Sequence, residues 1–204
     1  KILQRLHRLW HDGESPTEGI KPEALQRLEA VQDLCRIPEL GESKANDLFD
    51  QGYQKVSDLE ALGEGVSQVL NRKQLIGLRH YRDLAQRIPR AEMDDWVNLL
   101  SEVTREAAEG LGLERVRESM VGSYRRGATD SGDIDWYISA EGEALPDMME
   151  AMVETLVALG VVEAEDIISQ GIKKTMMIGK MPGSDAMARH LDIFVFPPEQ
   201  YPFA

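Results

Sequence analysis

The sequence holds a single cysteine, Cys35, so no disulfide can form within the chain. Sparse cysteine fits a reducing, intracellular compartment. There is no apolar run long enough to span a bilayer and no leader-like amino terminus, which argues against a membrane-spanning or secreted protein. The first residue is not methionine, and from this we expect a fragment or a trimmed product. No internal repeat or low-complexity tract is present, which excludes solenoids and tandem arrays. Positive charge is also scarce: 23 Lys and Arg stand against 36 Asp and Glu, a formal charge of −13. That balance disfavours a general nucleic-acid binder, because cation–phosphate contacts dominate such affinity. What remains is a globular composition, 42% hydrophobic and 29% charged, with chain enough for one or two domains and a sizeable core.

The charge is unevenly spread. Residues 71–90 carry Arg72, Lys73, Arg79, Arg82, Arg87 and Arg90 against Asp83 alone, whereas residues 91–120 are rich in acids. A local basic stripe on an acidic body is compatible with DNA, with weakened long-range steering.

The densest chemistry lies in residues 121–138, V-G-S-Y-R-R-G-A-T-D-S-G-D-I-D-W-Y-I. The apolar run before it predicts a strand over 116–121, broken by Gly122 and Ser123. Tyr124, Arg125 and Arg126 fit one helical turn closed by Gly127, and 129–132 reads as a turn. A second strand is predicted over 133–139. Asp133 and Asp135, two apart, then point the same way, since strand side chains alternate faces. Two acids side by side repel unless a cation lies between them. Magnesium suits the place, because it takes hard oxygen ligands and shares them with substrate phosphates. The Gly122–Ser123 corner adds the other half of a phosphate site: backbone that approaches closely at a glycine, and N–H groups at a helix start. Arg126 supplies a donor that phosphate can accept bidentately.

The pair G-S-Y-R-R-G and S-G-D-I-D resembles the nucleotidyltransferase signature of family X DNA polymerases, the group of DNA polymerase beta, lambda and terminal transferase. The Arg-Arg-Gly insert with Ser-Gly-Asp is what separates this family from other Gly-Ser/Asp-x-Asp transferases. Three further stretches extend the resemblance over roughly residues 35–201. The run R-I-P-R-A-E-M, 87–93, is similar to the family's junction into the palm, which implies that Arg87 is aimed at the incoming triphosphate. The run R-H-L-D-I-F-V-F, 189–196, reads as a strand with Asp192, Phe194 and Phe196 on one face. Its Asp192 matches the family's third catalytic aspartate, with His190 where the family has an arginine near the primer end. A permanent cation is thereby replaced by one only partly charged near neutrality. Residues 34–59 resemble the family's helix-hairpin-helix, with a hairpin at 38–41 and a second helix at 43–50 closed by Gly52. Gly41, Ser43 and Lys44 would then meet a DNA phosphate, and the carbonyls of Cys35, Ile37 and Leu40 a sodium or potassium ion. Glu39 departs from the usual Gly-x-Gly, which sets an acid beside the phosphate and removes a permissive turn residue.

The other elements follow from periodicity. Amphipathic helices are predicted over 1–12, from Pro22 onward, over 56–62, over 70–89, over 93–110 and over 145–159. A hairpin is predicted over 167–181, with Gly171 in the turn. Lys173 and Lys174 follow it, where the family sets lysines against template DNA or where they are simply solvated. The resulting expectation is an α+β chain: a helical DNA-binding region over 1–90, then a nucleotidyltransferase palm over 91–204, a mixed sheet backed by helices.

By resemblance, Asp133, Asp135 and Asp192 bind two magnesium ions (manganese as the alternative). Gly122, Ser123, Arg126, Gly132 and Arg87 hold a deoxynucleoside triphosphate. Primer-template DNA is the partner, DNA repair the setting, and the nucleus rather than a mitochondrion or bacterial cytoplasm the place. The lyase domain found in some members has no room before Pro22. The family's base-checking subdomain would begin after Ala204. Two other readings stay open: a non-catalytic scaffold that retains the palm, and a template-independent terminal transferase.

Overall fold

The computed structural model describes residues 21–183 and 186–200. The helix expected over 1–12 and its following loop lie outside the described residues. The chain divides into two compact units between Gln74 and Leu75.

The first unit is helical. Helix α1, Pro22–Leu34, starts on Pro22, whose fixed φ and missing N–H suit a first turn. Helix α2, Glu42–Asp50, follows a short hairpin turn, and α3 spans Val56–Glu60. A 3-10 turn, Gly63–Gln68, comes next where no element was expected. Leu34, Ala45, Leu48, Val56 and Leu59 from the three short helices are buried together with Ile37 and Leu40 from the turn between α1 and α2. Asp33 accepts a hydrogen bond from the Val56 N–H at 2.9 Å, tying the start of α3 to α1. Helix α4, Arg72–Leu84, runs across the boundary.

The second unit is α+β. The long helix expected over 70–89 stops at Leu84. Ile88–Pro89 forms a two-residue strand, β1, paired with β3, Asp130–Ser131. The 129–132 segment is therefore half a ladder and not only a turn, because Pro89 lacks the N–H that would carry a helix onward. Helix α5 then spans Arg90–Gly110, three residues earlier than its apolar period suggested. After it come β2 (Glu114–Met120), the single-turn helix α6 (Gly122–Arg125) and β4 (Ile134–Glu141). Next are a 3-10 turn at Leu145–Asp147, α7 (Met148–Ala158), β5 (Val162–Gln170), β6 (Lys174–Gly179) and β7 (Arg189–Phe196).

Five strands form one sheet in the order β2-β4-β7-β6-β5; β4 and β7 are parallel and the other pairs antiparallel. Helices α5 and α7 pack on one face. Trp96, Leu100, Met148, Met152 and Leu156 meet Ile134, Trp136, Leu191 and Ile193 there, all buried. In this layer Trp136 Nε1 donates to Thr104 Oγ1 at 3.0 Å, while the buried Trp96 Nε1 has no acceptor among the described residues. Alternation then puts Asp135 and Asp192 on the opposite face. The methionines of α7 belong to the core, as thioethers filling gaps between aromatic rings.

Candidate active site

The two strands that carry the acids are parallel neighbours, and their register pairs Asp135 with Asp192. Residues paired across a ladder share a face, so both carboxylates stand side by side away from the helices. Burial is graded: Asp192 is 8% exposed, Asp135 half-buried, and Asp133, one residue ahead of β4, exposed. Burial, then the charges of Asp133 and Asp192, push the Asp135 carboxyl above its ordinary value, while Lys174 and His190 pull it back. Lys174 Nζ lies 2.7 Å from Asp192 Oδ2 and 4.8 Å from the centre of the Phe194 ring. The other oxygen, Asp192 Oδ1, is buried and accepts no hydrogen bond; His190 Nδ1 stands 3.4 Å away.

The Gly122–Ser123 corner abuts this pair. The Val121 N–H donates to the Asp135 carbonyl at 3.0 Å, which fixes where the chain leaves β2. Gly122 has φ +64, and a Cβ built on it would lie 2.8 Å from Asp135 Oδ2. Only glycine tolerates both the conformation and the closeness. Ser123 Oγ donates to Ser131 Oγ at 2.9 Å. Arg126, the C-cap of α6, is exposed; its N–H donates to the Tyr124 carbonyl and its side chain makes no hydrogen bond or ion pair with the described residues.

A second group forms around Gly132, where a Cβ would come within 2.9 Å of Arg87 Nη1. Arg87 Nε donates to Asp130 Oδ1 at 2.7 Å and Nη2 to the Asp130 carbonyl at 3.2 Å. The β1–β3 ladder thus brings the triphosphate candidates Arg87 and Gly132 together, one residue from Asp133.

The donor set suits a hard divalent cation: in-register carboxylates, one bearing a buried oxygen that no donor satisfies. Among the described residues, no three His, Cys, Asp or Glu side chains close into a cage unaided. Magnesium typically uses one or two carboxylates and completes its shell with water and substrate phosphate, so the arrangement fits that ion.

Several residues of the site escaped sequence reasoning. Asp130 holds Arg87. Arg90 donates to the carbonyls of Tyr124 and Ala128, each at 3.1 Å, with its guanidinium 4.3 Å from the Tyr124 ring centre. Arg189 grips both oxygens of Glu92 at 2.7 Å and the Gln86 carbonyl at 3.1 Å, securing the start of β7. Arg90 and Arg189 stand beside Arg87 and Asp192 within the same short runs, but nothing local said which groups they would meet. Lys174, expected toward template or solvent, turns to Asp192; Lys173 is exposed.

In the first unit, Gly41 is the N-cap of α2 with no side-chain cap, so the N–H groups at Glu42, Ser43 and Lys44 open the helix. Cys35, Ile37 and Leu40 lie on the turn between α1 and α2, and the Ile37 carbonyl accepts the Leu40 N–H at 3.2 Å. Glu39 is held at φ +64, the left-handed conformation a glycine would take without strain.

The chain was compared with known proteins. Residues 87–198 match the family model of the DNA polymerase beta palm, and residues 32–85 that of the fingers domain of DNA polymerase lambda. DNA polymerase lambda of Rattus norvegicus is 27% identical over 191 residues, 87% of this chain and 31% of that protein. The Arabidopsis thaliana DNA polymerase lambda is 25% identical over 187 residues, 87% and 33% respectively. The chain spans about a third of the length of these curated relatives. Among solved structures, a ternary P/T complex of Leishmania infantum polymerase beta superposes with a TM-score of 0.72 and 28% identity, over 84% of this chain and 66% of that one. No described helix is long and apolar enough to cross a membrane. With the palm model covering more than half of its residues, on a five-stranded sheet that carries the paired aspartates, the chain belongs to the family X, DNA polymerase beta-like polymerases.

Proposed function

We propose that this chain carries the DNA-binding and catalytic parts of a DNA polymerase that adds a deoxynucleotide to a primer 3′ hydroxyl in nuclear DNA repair. Residues up to about 90 act on DNA and residues from 91 form the palm. The observation that carries the reading is the pairing of Asp135 with Asp192 across β4 and β7, with the Gly122 backbone against Asp135.

Asp133, Asp135 and Asp192 would hold two magnesium ions, or manganese in their place; when bound, such ions favour ionisation of the primer hydroxyl and offset charge on the phosphates. The rest falls to the chain. Asp192, buried and next to His190, sits where a primer end is oriented for in-line attack on the α-phosphate. Ser123, Arg126 and the Gly132 N–H donate to the β and γ phosphates, and Arg87 leaves Asp130 to join them. Gly41, Ser43 and Lys44 offer backbone donors at α2 to a DNA phosphate, a monovalent cation completes the hairpin on the carbonyls of Cys35, Ile37 and Leu40, and Lys173 faces the template strand.

The test is single-nucleotide primer extension with magnesium, with and without template. Template-dependent addition by the wild type, abolished in Asp135→Ala, is expected. Addition without template would favour a terminal transferase, and DNA binding without any transfer would favour a scaffold that retains the palm. Undiminished activity in Asp135→Ala would remove the metal role given to that acid.

A further inference from the structure

The sheet face that carries the acids also carries one cation that binds them already. Lys174 lies at the start of β6, and the β6–β7 register sets it opposite Phe194, with Met176 opposite Asp192. Its side chain therefore runs diagonally along the face to reach Asp192 Oδ2 at 2.7 Å, with the Phe194 ring beneath the ammonium at 4.8 Å. Two attractions pin it there, an ion pair to a carboxylate buried to 8% exposure and a cation–π contact. A lysine free to serve a DNA backbone would instead extend into solvent, as its neighbour Lys173 is placed to do.

Resting on the polymerase reading, we infer that Lys174 is the internal counter-cation of the carboxylate cluster: it neutralises Asp192 until a divalent ion takes that carboxylate, and the displaced ammonium then binds a phosphate oxygen of the substrate. Two buried-side acids in register cannot both stay charged without a neighbour of opposite sign. Lys174 supplies one, and it eases the ionisation of Asp135 as well. The same contact competes with a metal for Asp192 Oδ2, while Oδ1 remains without a donor. Once a divalent ion neutralises the acids, the ammonium has no carboxylate to hold it, and the anion nearest the site is the substrate phosphate. Metal and phosphate affinities are then coupled through one side chain, and the coupling is reciprocal.

Manganese binding, read by electron paramagnetic resonance of the free ion, tests this without reference to turnover. Three proteins are compared: wild type, Lys174→Met and Asp192→Asn. Met keeps the apolar stem along Phe194 and removes only the charge. Lys174→Met should bind manganese up to about fivefold tighter than wild type, the range expected for removing a half-exposed competing ion pair. Its gain in primer-template affinity on adding manganese should be smaller than that of wild type, since no ammonium is released. Thermal unfolding without divalent ion should show Lys174→Met less stable than wild type, with the deficit closing at saturating manganese. Manganese affinity in Lys174→Met equal to or weaker than wild type, with Asp192→Asn impaired, would overturn the counter-cation role while leaving the metal site intact. Equal manganese binding by wild type and Asp192→Asn would instead remove the metal reading itself, and the inference with it. Lys174→Arg, which keeps the charge, should behave as wild type toward manganese; a tightening there would also count against the inference.

Discussion

At the scale of single residues, Asp135 is constrained from several sides. Its carboxyl is raised by burial first and then by Asp133 and Asp192, so the native chain holds that proton more tightly than the unfolded chain does. The sign follows: this site favours the folded state when protonated, and the contribution is lost as pH rises through the raised value. Asp135→Asn should therefore raise the thermal midpoint without divalent ion at neutral pH. Solvent screens a half-exposed carboxyl, so the rise in midpoint should be small, shrinking to nothing under acidic conditions where Asp135 is protonated anyway. Calorimetry across pH checks this, and a lower midpoint for the Asn variant at neutral pH would contradict it. Magnesium-dependent transfer should vanish in the same variant, so the residue trades stability for function. Gly122→Ala acts in the opposite sense on stability and also lowers activity. The left-handed backbone costs on the order of 1 kcal/mol, and a Cβ 2.8 Å from Asp135 Oδ2 must displace that carboxylate. Misplacement on the order of 1 Å can cost about a hundredfold in rate, so turnover should drop steeply while DNA affinity holds, which separate kinetic and binding assays distinguish.

At the scale of elements, two junctions decide how β7 and the hairpin are held. Arg189 is buried and bound at both Glu92 oxygens and the Gln86 carbonyl. Glu92→Ala leaves that guanidinium buried with only the Gln86 carbonyl and the Met187 sulfur and no counter-charge, and breaking such a pair from one side costs about 3–5 kcal/mol. Chemical denaturation should show a loss near that size, whereas Glu109→Ala, which breaks the exposed Arg105 pair, should cost under about 1 kcal/mol. At the hairpin, Glu39→Gly relieves a φ of +64 and removes a negative charge, so it should stabilise the first unit and tighten DNA binding if α2 meets a phosphate. Unchanged affinity would make the turn a connector only. These same elements show what could be read in advance. Pro22, the alternation of 189–196 and the glycines closing α6 each act through their own backbone, so their elements fell where the pattern put them. Three features did not. Helix α4 ended early, Ile88 and Pro89 became a strand, and α5 began at Arg90. All three depend on a partner some forty residues away, at Thr129, Asp130 and Ser131. That Asp135 and Asp192 share one face of the sheet was legible because strand alternation is local. The groups that hold the site in place, Asp130, Arg90, Arg189 and Lys174, were not, because each is defined by a contact across the fold.

At the scale of the whole molecule, the proposed DNA partner raises the question of how a chain of charge −13 would bind a polyanion. The basic stripe of residues 71–90 looked like the answer, but the fold uses much of it internally. Arg79 pairs with Glu165 and Asp166 at 2.8 and 3.0 Å, Arg87 with Asp130, and Arg90 with two backbone carbonyls. Asp166 is itself buried and also meets His80 Nε2 at 2.8 Å, so Arg79 is anchored between α4 and β5. Each phosphate neutralised contributes about −0.9 to the slope of log affinity against log salt, so six cations in contact would give about −5. With at least these three of the six engaged inside the protein, the slope should be about −3 or shallower. Titration of labelled primer-template over a range of potassium chloride concentrations measures it directly. Arg79→Ala separates the two uses of the stripe: a cation bound to the fold's own acids should, when removed, lower thermal stability and leave the salt slope unchanged. A slope near −5 that falls by about one in Arg79→Ala would mean that DNA draws this arginine away from Asp166 and that the acidic body rearranges on binding.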